Sequence, residues 1–265
     1  VGSIPASRTN LLQIRALRKK CPYCFGPLHV RSAPVAVRVE PTMTASPSSS
    51  SVFHPQPDER GNPVRIARPS RPTDLAAWSD PGARATVVPL GALPAVLNGV
   101  PLAPWIDAPA DAAGWNAVEG QAAIDEPAFD LPPHKMAAAG VVIEEADGRI
   151  WAVAPSNRFG GYDATFPKGR VDPGVNLQAT AIREAFEESG LRVAIVAHLA
   201  DCARTQTYTR FYLARRVGGN PALMGWESQA VHLVPRAALP ALLCNPHDGA
   251  VIAALTARTD VTKVT

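Results

Sequence analysis

Hydrophobic and polar positions fall into regular patterns only in the second half of this chain of 265 residues. Ala137–Glu145 and Ile150–Ala154 read as strands, and Asp147-Gly148 between them is a tight-turn signal, so the pair predicts a hairpin. Leu177–Ser189 carries a helical period. Ala179, Ile182 and Phe186 lie on one face and would meet a core, while Glu184, Glu187 and Glu188 share the opposite face. Gly190 suits the position that ends a helix, with Leu191 as the apolar residue after it. Arg192–Leu199 and Thr205–Arg215 read as strands. The second alternates Tyr208, Arg210 and Tyr212 with Thr209, Phe211 and Leu213, as a half-buried strand does. Ala230–Val234 predicts a further short strand, and Ala237–Leu243 and Gly249–Ala257 predict helices. The loop Pro155–Ala164, with Gly160-Gly161 and Tyr162, is able to fold over a ligand.

The first half is different. From Met43 to about Pro69 it is rich in Ser and Pro and is expected to be disordered, because it offers little apolar surface to bury. Residues 70–130 hold apolar patches, Ala85–Leu97 and Val100–Ile106, broken by prolines. They also hold Trp78, Trp105 and Trp115, read as core or interface residues rather than base-stacking ones. This segment is too apolar for a free linker and is expected to pack on the following domain or to form a lid. The division that follows is a leader over 1–69, an extension over 70–133 and a catalytic domain over 134–258.

Charge separates the leader from the rest. The first 42 residues hold seven Lys/Arg and one acid, leaving 19 basic against 22 acidic residues in the remainder, so the chain's net +3 comes from its start. The opening Val-Gly-Ser-Ile-Pro-Ala-Ser-Arg-Thr back-translates to a sequence like a transfer-RNA T-loop. Translation is therefore expected to begin at Met43, with residues 1–42 a non-native leader; genomic DNA before codon 43 tests this. The basic run Arg15–Lys20 could touch nucleic acid. Cys21-Pro-Tyr-Cys24 has the spacing of half a zinc ribbon, but no second pair follows it and only His29 is near, so metal binding is not expected there. Cys202 and Cys244 complete a set of four that does not look like a disulfide framework. No run of about 18 apolar residues appears, so no membrane span is predicted, and the expected location is cytoplasmic.

Candidate chemistry concentrates at Gly169–Leu191. Three carboxylates on one helix face repel one another, by a few tenths of a kcal/mol per like pair. A hard divalent cation removes that cost, and carboxylate oxygens are its natural ligands. The preceding Phe166-Pro167-Lys168-Gly169-Arg170 adds a cation suited to phosphate and a glycine that permits close backbone approach. The stretch resembles the Nudix box, Gly-x5-Glu-x7-Arg-Glu-U-x-Glu-Glu-x-Gly-U, with U aliphatic. Gly169, Arg183, Glu184, Glu187, Glu188, Gly190 and Leu191 fall on it, Ala185 is a small occupant of the first U, and Val175 stands where the first Glu belongs.

The resemblance covers roughly residues 134–258. It implies an α/β fold, the Nudix α/β/α sandwich with a mixed sheet, preceded by a partly disordered extension. It also implies metal-dependent hydrolysis of a phosphoanhydride in a nucleoside diphosphate linked to another group, with Mg²⁺ or Mn²⁺ as cofactor. The implied metal ligands are Glu184, Glu187, Glu188 and the Gly169 carbonyl, with Glu184 or Glu227 as general base. Lys168, Arg183 and Tyr208 are the implied substrate-binding residues. With Val175 unable to orient Arg183, that residue is expected to pair with Asp172 or Glu187. His198 and His232 are read as structural.

Phe166-Pro167-Lys168-Gly169 before the box and Glu227-Ser228-Gln229-Ala230 after it are similar to the diadenosine-polyphosphate and diphosphoinositol-polyphosphate branch, which makes a diadenosine polyphosphate the expected substrate. The ADP-ribose branch has a proline near Arg204-Thr205-Gln206, where this chain has none. The alternatives are a nucleotide sugar, a nucleoside triphosphate, a capped RNA end, or a non-catalytic ligand-sensing domain. The last is disfavoured by the three intact box glutamates. The net negative charge after residue 42 gives no support for a nucleic-acid groove, and no membrane partner is expected.

Overall fold

The structure, a computed structural model, describes residues 51–262; the expectations for Cys21, Cys24, His29, Arg15–Lys20 and Met43 lie outside them. In chain order, β1 (Val52–Phe53) pairs antiparallel with β2 (Arg65–Ile66). The short helix α1 (Ala76–Ser79) and strand β3 (Ala85–Val87) follow. A small ladder of β4 (Val96–Leu97) and β5 (Val100–Pro101) leads to the short helix α2 (Ala112–Asn116). Then come β6 (Met136–Glu144), β7 (Arg149–Pro155), β8 (Lys168–Arg170), the helix α3 (Leu177–Ser189), β9 (Leu191–Ala203), β10 (Thr207–Gly219), β11 (Ser228–Pro235), α4 (Leu239–Leu242) and α5 (Pro246–Thr262).

The central sheet runs β3-β11-β7-β6-β10-β9, with β8 added to one end of β6. Its β6–β10 pair is parallel and the others antiparallel, so the sheet is mixed. Strand alternation sends side chains to two cores. Val141, Ile143, Trp151, Val153, Tyr212, Val231 and Leu233 meet α3 on one face, which contributes Ala179, Ile182 and Ala185. Val142, Ile150, Ala152, Phe211, Leu213 and Val234 meet α4 and α5 on the other, through Leu239, Val251 and Leu255. A sheet with both faces covered by helices is the α/β/α sandwich. Each large contact matters: Ile182, fully buried, would cost about 2–5 kcal/mol on truncation to alanine.

Several elements differ from expectation, each for a physical reason. β9 and β10 are longer than their apolar runs, because they twist together as an antiparallel ribbon that absorbs its irregularities in bulges, one of them between Phe211 and Tyr212. The short β8, three residues with no period of their own, joins the sheet by pairing with β6. Residues 51–66, expected to be disordered, form the β1–β2 hairpin. Its turn is organised by Asp58, whose Oδ1 accepts from the amides of Arg60 and Asn62, each at 2.9 Å.

The segment before residue 134 shares the main core. β3 extends the sheet along β11. Trp78 packs on Trp151 with ring centroids 5.9 Å apart, and Trp105 and Trp115 pack on Phe186 of α3. Three buried arginines of the sheet domain bind it further. Arg149 donates to the carbonyls of Ala77, Trp78 and Asp80 at 2.6–3.1 Å. Arg210 donates to Pro127 O and Glu126 Oε2. Arg216, paired with Glu145, donates to Leu97 O at 2.8 Å.

Candidate active site

The helix α3 places the acidic residues. Asn176 caps its start, accepting from the Ala179 amide at 2.8 Å. Gly190 ends it at φ 70°, with its amide on Phe186 O; a side chain at 190 would run into the Asn220 carbonyl. The register turns Ala179 and Ile182 into the core and Glu184 and Glu188 toward β8. There Gly169 passes directly over Glu184: a Cβ at 169 would collide with that carboxylate. The glycine is therefore required by close approach.

Glu188 Oε2 accepts from the backbone amide of Lys168 at 3.0 Å. Glu188, Lys168 and Glu227 together line a cavity of about 620 Å³. Burial pushes the Glu188 carboxyl well above the usual carboxylate range; the neighbouring Glu184 and Glu227 push the same way, and the Lys168 ammonium opposes them. Burial likewise lowers Lys168, with Arg204 adding to the effect and Glu188 acting against it.

The predicted site residues divide into two sets. Lys168, Glu188 and Glu227 reach the cavity. Glu184 lies behind it beneath Gly169, buried and 2.8 Å from Arg183 Nη2. Glu187, one step round the helix, is partly exposed, 3.8 Å from Arg183 Nε. Arg183, expected to bind substrate, does not line the cavity. It is buried, and its donors go to Asp172, to Arg170 O at 3.0 Å and to Glu184. Of the two partners expected for Arg183, Asp172 makes the close pair, and Val175 sits in the core. Tyr208 also lies apart from the cavity. It is not among the cavity residues, and its ring lies against Phe129 at 5.3 Å. The strand alternation that pairs it with Arg210 and Tyr212 turns it to the face covered by residues 126–129.

Other residues occupy the cavity that spacing did not single out. Tyr162 stands beneath Lys168 Nζ, 5.0 Å from the ring centre. Arg204 donates to Tyr162 Oη at 2.9 Å and to Asp248 at 2.5 Å. Asp248, at the start of α5, is fully buried, with Thr165 also against its Oδ1. Phe159 and Trp226 complete the aromatic lining. The loop reading of 155–164 pointed toward Tyr162. Arg204 and Asp248, 44 residues apart, had no shared motif to reveal them.

Among the described residues no three His, Cys, Asp or Glu side chains are gathered closely enough to hold a metal ion as they stand. Glu184 is turned to Arg183 and Glu188 to the Lys168 amide. Their chemistry nonetheless fits a hard divalent cation. The donors are all oxygens, and the half-buried Glu188 lies near two further carboxylates, Glu184 and Glu227, that a positive charge would relieve.

This sandwich, with a glycine loop against an acidic helix, defines a class of domain. Residues 134–255 match the NUDIX domain family, and the chain thus carries a Nudix domain. It is 33% identical over 102 residues to an RNA pyrophosphohydrolase of Caulobacter vibrioides, covering 38% of this chain and 56% of that protein. It is 32% identical over 123 residues to a putative mutator protein MutT4 of Mycobacterium tuberculosis, covering 42% and 50%. The chain therefore spans only about half the length of these curated relatives. Among solved structures, a C. elegans Ap4A hydrolase binary complex is similar at 21% identity, with a TM-score of 0.41, over 47% of this chain and 98% of that one. No helix of the described residues is long and apolar enough to cross a membrane.

Proposed function

We propose that this chain hydrolyses a phosphoanhydride bond in a nucleoside diphosphate linked to another group, with a dinucleoside polyphosphate as substrate. The observation that carries this reading is the meeting of Glu188, Glu227 and Lys168 on one cavity with Glu184 directly behind. Glu184 and Glu188, with Glu187 and the Gly169 carbonyl nearby, would hold a divalent cation, Mg²⁺ or Mn²⁺. When bound, the cation neutralises phosphate oxygens and acidifies a water. Lys168 and Arg204 bring positive charge to the phosphate chain. Glu227, or Glu184, accepts the proton of the attacking water. The water oxygen bonds to phosphorus as the bridging oxygen leaves with the second phosphate. Arg183, held by Asp172, keeps Glu184 in place under Gly169.

A second reading, removal of pyrophosphate from an RNA 5′ end, is favoured by the names of several relatives. The test is product release with Mg²⁺ or Mn²⁺ from a panel of diadenosine tetraphosphate, ADP-ribose, NADH, nucleoside triphosphates, a diphosphoinositol phosphate and 5′-triphosphorylated RNA. ATP plus AMP from the first compound, lost in Glu188→Gln, supports the dinucleotide reading. Turnover of another member alone moves the substrate. Ligand binding with no turnover of any member overturns the hydrolase reading in favour of a sensor.

A further inference from the structure

The cavity is not built by the Nudix segment alone. One side is the β1–β2 hairpin, which lies at least 68 residues before it in the chain and contributes Asp58, Glu59, Val64 and Arg65 to the lining. The hairpin is fixed in place. Asn157, in the loop after β7, accepts from the Ala67 amide at 2.8 Å and donates to the Arg65 carbonyl at 2.7 Å. It does so from the left-handed backbone region, at φ 55°, where a non-glycine residue is uncommon and asparagine is among the better tolerated. Asp58 holds the hairpin's own turn from within.

We propose that this hairpin is the specificity-determining wall of the site and selects a free nucleoside polyphosphate over the 5′ end of an RNA chain. The proposal rests on the hydrolase reading above. Three observations carry it. An RNA-binding groove needs cations along the path of the backbone, since phosphate contacts dominate affinity. Here the hairpin brings two acids and one arginine, and the whole lining has four carboxylates, Asp58, Glu59, Glu188 and Glu227, against Lys168, Arg65 and Arg204. Next, the aromatic faces of Phe159, Tyr162 and Trp226 border the same space. Phe159 is 71% exposed, so its ring is open to a partner, and a nucleobase stacks on such rings. Finally, about 620 Å³ is within the usual range of a small-molecule site.

The test compares the full chain with Asn157→Gly and Asp58→Ala. The first keeps a residue that tolerates the left-handed backbone and removes the latch, together with a side chain of the cavity lining; the second loosens the hairpin turn and takes one acid from the lining. With diadenosine tetraphosphate and Mg²⁺, each variant is expected to raise KM about tenfold, the loss of roughly two hydrogen bonds, with kcat little changed. The kcat/KM for a short 5′-triphosphorylated RNA should rise relative to that for the dinucleotide. Folded variants that keep the wild-type KM and preference overturn the proposal, as does a wild-type preference for the RNA. If the wild type cleaves neither compound, amide hydrogen exchange with ADP and Mg²⁺ separates the two ideas. Slowed exchange at residues 54–67 supports the wall while the hydrolase reading falls, and unchanged exchange overturns the wall as well.

Discussion

The two halves of the described chain are held together by different physics. Residues 134–255 form strands and helices whose apolar positions repeat with the period of the element, and they bury those positions against one another. Residues 51–133 have few periodic contacts. They enter the same core at scattered positions such as Trp78, Val87 and Trp115, and are held besides by charged side chains of the sheet domain that reach back to them: Arg149 to α1, Arg210 to residues 126–127, Arg216 to β4. A segment can be as firmly placed by buried arginine as by apolar packing, because each guanidinium satisfies several backbone acceptors at once.

That contrast can be broken most severely at Arg216. Replacing it with alanine leaves Glu145 buried without its cation, with only Trp151 and Asn98 still donating to it, and should cost about 3–5 kcal/mol. Chemical denaturation measures this, and a loss below about 1 kcal/mol, the scale of a surface pair, would mean that Arg216 adds little to the hold on the extension. In the Nudix half the largest effect should be on turnover. If Glu188 holds the cation as proposed, Glu188→Gln should lower kcat by at least about two orders of magnitude, without loss of melting temperature in the absence of metal, since burial already disfavours the Glu188 charge. Near-normal activity would remove Glu188 from the chemistry.

The junction between the halves should respond to acid. His232 of β11 meets Thr86 Oγ1 of β3 at 2.9 Å, and burial, aided by the charge of Arg84, lowers its pKa from 6.5 to about 4. A folded-state pKa below the unfolded value means that the unfolded chain takes up the proton first, so stability falls as pH drops below 6.5 and levels off near 4. About 2 kcal/mol should be lost between neutral pH and pH 5, and His232→Gln should flatten that slope in denaturation curves taken across the range. The smallest effect is expected at Asp172→Asn. Weakening a charge-assisted bond to Arg183 should lower kcat by up to about tenfold; unchanged kinetics would show that Glu184 and the Arg170 carbonyl suffice to hold Arg183.

The same contrast explains what could be seen in the sequence. The β6–β7 hairpin and α3 announce themselves because Asp147-Gly148 and the 3.6-residue period are local signals. Lys168 and Glu188 are legible because motif spacing fixes them across a single loop. The β1–β2 hairpin is not, since its Ser- and Pro-rich composition signals little core and its latch is a backbone-to-side-chain pairing with Asn157, 90 or more residues away. The arginine grips are hidden for a related reason: a charged residue in a strand reads as solvent-facing until its partners are known. The surroundings of Tyr208 were not legible, because alternation says which residues share a face but not what covers that face, and here residues 126–129 pack on it.

The pairing of β3 with β11 has a practical consequence for anyone who trims the chain to its family-matched segment. Without Ala85–Val87, the outer edge of β11 would present unpaired amides and carbonyls beside Val231 and Leu233, an open template for another copy to add a strand. A fragment starting at residue 134 should therefore come out of solution as aggregates, and β3 acts as the fold's own guard against self-association.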